Sequence, residues 1–137
     1  MIIGFTCGAF DLLHPGHLAL FKQARQQCGK LIVGLHSNPK IDRSYKNVPI
    51  QTVYERYTQL MACQDVSHVI PYDTEKDLEN LLATETIHVR FLGEEYLGQK
   101  ITAQQICEER NIKIVFLNRK HSYSSTELRE RIKNALQ

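Results

Sequence analysis

The chain has 137 residues, with 17 Lys and Arg against 15 Asp and Glu, a formal net charge of +2, and four cysteines. This length suits one domain with a proper core and is short for two. The near balance of charge and the lack of a polybasic run exclude nucleic acid as an expected partner and leave small polyanions as suitable ones.

Cys7, Cys28, Cys63 and Cys107 form no C-x-x-C pair and read as reduced, packed thiols. No long apolar span or N-terminal signal pattern is present, since Met1 leads directly into a strand, so a cytoplasmic protein without membrane contact is expected.

In chain order, Ile2, Ile3 and Phe5 suit a buried strand, and Leu18, Leu20, Phe21 and Ala24 then recur at helical spacing. Between them, residues 7–18 form a strand-to-helix turn, where free N–H groups and the positive end of the helix dipole favour an anion. Gly8 and Gly16 permit close backbone approach, and Pro15 suits the first helical turn. His14 and His17, three apart, project toward one face at the helix start. Both can donate hydrogen bonds to oxygens that gain charge in phosphoryl or nucleotidyl transfer. The same spacing also fits half a metal site or two satisfied surface histidines. No second cluster of Cys or His at ligand spacing follows, so no protein metal ligand is expected.

Gly8-Ala9-Phe10-Asp11-Leu12-Leu13-His14-Pro15-Gly16-His17 resembles the G-x-F-D-x-x-H-x-G-H signature of the cytidylyltransferase-like nucleotidyltransferases. It is most similar to that of the bacterial glycerol-3-phosphate cytidylyltransferases. The resemblance implies attack of an acceptor phosphate on the α-phosphate of a nucleoside triphosphate, with release of pyrophosphate. It implies that His14 and His17 stabilise the transition state and that Cys7, Gly8, Ala9, Phe10 and Gly16 border the nucleotide.

The first helix is expected to stop near Gly29, and Leu31 to His36 reads as a second buried strand, with His36 and Ser37 at its carboxyl end. Residues 38–50 carry two prolines and no clear period, and read as a long loop holding Lys40, Arg43 and Lys46. The resemblance assigns a basic residue of this region, by position Lys46, to the triphosphate. Thr52 and Glu55 have capping-box spacing for a helix through Cys63, and the resemblance brings Arg56 to the nucleotide site, while a plain surface Arg is the alternative.

Val66 to Pro71 reads as a third strand, and Thr74 caps a helix carrying Leu78, Leu81 and Leu82. Ile87 to Leu92 reads as a fourth strand, whose apolar and polar alternation implies one less buried face. Gly93-Glu94-Glu95-Tyr96 is similar to the family's Gly-acid-acid-aromatic segment, commonly Asp-Asp-Trp, which makes Glu95 a nucleotide-site candidate.

Thr102 and Gln105 have capping-box spacing for a helix through Arg110, and Lys113 to Leu117 reads as a fifth strand. Ser124 and Glu127 then open the last helix and offer a second anion-binding helix start. Arg119 with Tyr123-Ser124-Ser125-Thr126 resembles the R-x-x-x-I-S-T-T segment of cytidylyltransferases, which implies contact of Arg119, Ser124, Ser125 and Thr126 with the β- and γ-phosphates. Ser124-Ser125-Thr126 with Arg129 is also similar to the I-S-S-T-x-x-R segment of related adenylyltransferases.

Five apolar runs alternating with five helical segments predict a single α/β domain over residues 1–137, with a parallel sheet covered on both faces. The resemblance adds a Rossmann-like strand order of 3-2-1-4-5. It further implies transfer of CMP from CTP to a small phosphorylated alcohol, glycerol 3-phosphate first, with Mg²⁺ accompanying the nucleotide and a homodimer as the assembly. An ATP-using adenylyltransferase and a non-catalytic nucleotide-binding module are the alternatives.

Overall fold

The computed structural model describes residues 1–137, in which five strands and five α-helices alternate along the chain. They are β1 (Ile3–Gly8), α1 (Pro15–Arg25), β2 (Lys30–His36), α2 (Val53–Met61), β3 (His68–Tyr72), α3 (Glu75–Thr84), β4 (Val89–Gly93), α4 (Gln104–Glu109), β5 (Lys113–Leu117) and α5 (Ser125–Ala135). All strand pairs are parallel, in the order β3-β2-β1-β4-β5. Parallel strands covered on both faces must be apolar on both, and two cores result. One packs Phe21, Ala24 and Leu60 of α1 and α2 against Leu31, Val33, Leu35 and Phe91. The other packs Leu78, Leu81, Leu82 and Cys107 of α3 and α4 against Phe5 and Ile32.

The chain leaves β1 toward β2 on one side, while β4 lies on the other side of β1. A crevice opens at such a reversal, beyond the carboxyl ends of β1 and β4, and the site lies there.

Several local expectations need correction. The fourth strand has no exposed face: Arg90, its polar inner residue, is only 3% exposed. Pro71 does not end β3, which runs to Tyr72; β3 is an edge strand, where a missing N–H is tolerated. Thr102 caps nothing. The fourth helix starts at Gln104 behind Ala103 at φ 63°, and Thr102 instead accepts Arg43 on Oγ1 and Arg90 on its carbonyl. Residues 38–50 are not wholly irregular, since Asn38 caps a short 3₁₀ turn over Pro39–Ile41. The capping box at Thr52 and the cap at Thr74 form as expected, and at Thr74 the structure adds Asp77 as the reciprocal partner. No helix is long and apolar enough to cross a membrane.

Candidate active site

Helix α1 begins on its own histidines. His14 is the N-cap, with extended backbone, and its Nδ1 accepts the Gly16 N–H at 3.0 Å. His17 Nδ1 reaches back to accept the His14 N–H at 3.2 Å, an imidazole version of the capping box. The rings stack with centroids 3.8 Å apart. Because both Nδ1 atoms accept, the tautomer assigned to each ring carries its proton on Nε2. Gly16 is required here, since a Cβ would lie 2.8 Å from His14 Cε1 and 2.5 Å from His121 Cε1.

Burial lowers the His17 pKa to about 3, helped by the nearby charges of His14, Arg119 and His121. Burial first, then His121 and Arg119, also lower that of His14. The pair therefore presents two uncharged N–H donors at a helix N-terminus. Phe10 packs edge-on to His17 at 5.3 Å, on a turn where Phe10 and Leu12 both take positive φ, 48° and 52°. Left-handed backbone at two residues with bulky side chains must be held by its surroundings.

Asp11 does that holding. It is 5% exposed, and its carboxylate accepts the N–H groups of Ile50 and Gln51 at 2.8 and 2.9 Å and Arg129 Nη2 at 2.7 Å. Its carbonyl accepts the Ser125 hydroxyl at 2.6 Å. One residue thus ties the β1–α1 turn to the loop before α2 and to the start of α5. Asp11 stands inside the signature, but nothing local in the sequence shows these partners.

The start of α5 is capped by Ser124, whose Oγ accepts the Glu127 N–H at 3.0 Å. Arg119 is fixed just before it. Its N–H donates to Glu94 Oε1 at 2.8 Å, its Nη2 donates to the Tyr123 carbonyl at 2.9 Å, and its Nη1 lies 3.7 Å from Glu95 Oε1. That last pair is solvent-exposed and weak, so Arg119 is oriented without being neutralised. Glu94, which the sequence leaves without a role, is the firmer of the two acidic contacts.

Two adjoining cavities open on these groups. The smaller, about 210 Å³, takes in His14, Gly16, His17, Arg119, Ser124 and Ser125. The larger, about 490 Å³, takes in Cys7, Gly8, Ala9, Phe10, Lys46 and Thr126. His17, Glu95 and Ser125 line both, which brings the two helix starts around one space. The basic loop is fastened beside it: Asp42 Oδ2 accepts the Glu75 N–H at 2.7 Å, and Arg43 Nε donates to Glu75 at 2.7 Å.

Arg56 lines neither cavity and is not a surface residue. It is 2% exposed, and its guanidinium donates to the carbonyls of Gln51, Thr52, Ala9, His36 and Ser37 at 2.8–3.3 Å. It braces the carboxyl ends of β1 and β2 from behind, so its expected nucleotide contact gives way to a structural role. His121 is the residue the sequence reading missed. It lines the smaller cavity with both signature histidines, and its Nδ1 accepts the Tyr123 N–H at 3.2 Å. No spacing links residue 121 to residue 14; only the β1–β4–β5 order brings them together.

No group of three His, Cys, Asp or Glu side chains is arranged to hold a metal ion. The donors available are imidazole N–H, hydroxyl, guanidinium and helix-start N–H groups, a set that suits the oxygens of a polyphosphate.

A family model described as cytidylyltransferase-like matches residues 5–131. The chain is 35% identical over 127 residues to "Bifunctional protein HldE" of Hyphomonas neptunium, covering 92% of this chain and 26% of that protein. It is 32% identical over 127 residues to the protein of the same name from Caulobacter vibrioides, with the same coverage. The chain thus spans about a quarter of the length of these relatives. The lipopolysaccharide core biosynthesis protein of Thermoplasma volcanium superposes with a TM-score of 0.69 at 21% identity, over 90% of this chain and 99% of that one. Pantothenate synthetase of Thermus thermophilus superposes with a TM-score of 0.65 at 15% identity, over 96% of this chain and 64% of that one. At those identities the superpositions speak for the fold alone. With the signature turn, the strand order and a family match over nearly its whole length, the chain belongs to the cytidylyltransferase-like family of nucleotidyltransferases.

Proposed function

We propose that this site transfers a nucleotidyl group from a nucleoside triphosphate to a small phosphorylated acceptor, with release of pyrophosphate. The observation that carries this reading is the stacked His14–His17 pair, whose Nδ1 atoms are both occupied by backbone N–H groups, leaving two Nε2–H donors at one helix start. In this reading His14 and His17 donate to the α-phosphate oxygens as charge builds there. Lys46 and Arg119 draw the outer phosphates, and Ser124, Ser125 and Thr126 hold them by hydroxyl and backbone. A phosphate acceptor is already anionic at neutral pH, so no general base is required, and catalysis is alignment plus charge stabilisation. Mg²⁺ would enter with the triphosphate, bound mainly to phosphate oxygens and water, which suits a site with few carboxylates to spare.

The signature and the Arg119-to-Thr126 segment favour CTP and transfer of CMP. A second reading, ATP, is favoured by Arg129, which the Asp11 ion pair brings to the wall of the larger cavity. The acceptor class is small phosphorylated alcohols and sugars, with glycerol 3-phosphate the first member to test. Pyrophosphate release should be followed with CTP or ATP against glycerol 3-phosphate and a panel of sugar phosphates. Acceptor-dependent release with one nucleotide is expected; none with any pair would leave a nucleotide-binding module. His17→Ala should lower kcat about a hundredfold or more with a far smaller effect on nucleotide affinity.

A further inference from the structure

Arg90 is a cation at a position where this fold calls for an apolar side chain. It stands between Val89 and Phe91 in β4, an inner strand, in register with Phe5 of β1. Phe5 belongs to the apolar layer beneath α3 and α4, and side chains in register on parallel strands share a face. From there Arg90 extends toward the carboxyl edge. Its Nη1 donates to the Thr102 carbonyl at 2.5 Å, its Nη2 lies 3.7 Å from Cys7 Sγ, and its Nε has no partner. No carboxylate neutralises it. Of the acids lining the larger cavity, Glu75 pairs with Arg43 and Asp11 with Arg129, each at 2.7 Å, and Glu95 lies nearest to Arg119, at 3.7 Å. A buried guanidinium so poorly satisfied is costly to the fold, and an anion is the group that relieves the cost.

The surroundings provide for one. Arg90 lines the larger cavity with Arg43 and Lys100. Thr102 receives both guanidiniums, Arg43 on its hydroxyl and Arg90 on its carbonyl. Placement supplies a second argument. In-line displacement requires the entering and leaving groups on opposite sides of the phosphorus. Of the residues assigned to the outer phosphates, Arg119 and Ser124 line the smaller cavity together with Gln23 of α1 and Leu117, on the α1 face of the sheet, Ser125 lines both cavities, and Lys46 and Thr126 line the larger. Arg90 lies on the opposite face, and His17 lines both cavities between them.

We propose that Arg90, with Arg43 across Thr102, forms the subsite that holds the oxyanion of the acceptor, its phosphate, opposite the departing pyrophosphate. This rests on the nucleotidyl-transfer reading above and makes Arg90 a specificity residue of this chain.

The test uses the whole protein labelled with ¹⁵N. The Arg90 Nε–H resonance is assigned by through-bond spectra and by its loss in Arg90→Lys. It is then titrated with inorganic phosphate, with and without a saturating non-hydrolysable analogue of CTP or ATP. A saturable shift in the millimolar range that persists with the analogue bound is expected. In turnover, Arg90→Lys should raise the acceptor KM by about tenfold or more with the nucleotide KM nearly unchanged. No shift with phosphate, or the same shift with sodium chloride at equal ionic strength, overturns the proposal. Displacement of phosphate from this resonance by the analogue also overturns it, because Arg90 would then belong to the nucleotide. Phosphate binding is read without turnover, so a failure of nucleotidyl transfer and a failure of this subsite give different results.

Discussion

The folded protein holds the His17 ring uncharged, with a pKa of about 3 against an ordinary value of 6.5. Burial is the first cause, so the unfolded chain accepts a proton at His17 through a range of pH in which the folded chain refuses it. The stability this ring contributes is present above the unfolded pKa and is lost as pH falls through the interval down to about 3. One pKa unit corresponds to about 1.4 kcal/mol, so acidification from about pH 7 to about pH 4.5 should cost about 2 kcal/mol through His17, after an allowance for its partial exposure. His14 shifts in the same direction and adds to the loss. Carboxylates titrate in the same range, so a difference between two proteins is needed. His17→Asn places an amide oxygen where Nδ1 accepts the His14 N–H and removes the titration. Urea unfolding of both proteins across this range should give curves of stability against pH that converge toward acid by about that amount. Parallel curves would refute the neutral-imidazole assignment, and with it the reading of His17 as an uncharged donor.

Other residues give equally direct expectations. Asp11→Ala leaves two N–H groups and Arg129 without their acceptor and should lower unfolding free energy by about 3 kcal/mol in urea at neutral pH; a loss below about 1 kcal/mol would contradict its place at the centre of the loop contacts. Arg56→Met should cost about 3 kcal/mol in the same assay, because five carbonyls lose a charged donor, whereas an Arg serving only the ligand would leave stability unchanged. His121→Ala should leave thermal stability nearly unchanged and lower kcat by about tenfold, as expected of an N–H donor at the edge of the phosphate site; an unaltered kcat would exclude it from that site.

What the sequence revealed follows from the range of the contacts concerned. The β1–turn–α1 unit was legible because Ile3, Phe5, Gly8, Pro15, Gly16 and the histidines act within a few residues of one another. The caps at Thr52 and Thr74 were legible for the same reason. His14 was readable as a phosphate-site residue but not as the N-cap, because imidazole is an uncommon cap and its role depends on the ring of His17 reaching back. Arg56 looks like any charged residue of an amphipathic helix until the sheet brings Ala9, His36 and Ser37 around it. Thr102 had the right spacing for a cap, yet two arginines distant in sequence took its oxygens. Arg90 misled by alternation, since a polar residue every second position is the ordinary mark of a solvated face and here the polar residue points into a cavity wall.

The most direct test of the central claim is calorimetric titration with CTP and, separately, ATP, each with Mg²⁺, on the unaltered protein and on Arg119→Ala, with glycerol 3-phosphate or a sugar phosphate absent and then present. One triphosphate is expected to bind with one-to-one stoichiometry and to bind at least about tenfold more weakly to the variant, through loss of a charged contact to the outer phosphates. Binding of neither nucleotide under any of these conditions, or equal affinity in the variant, would contradict a triphosphate seated between the starts of α1 and α5.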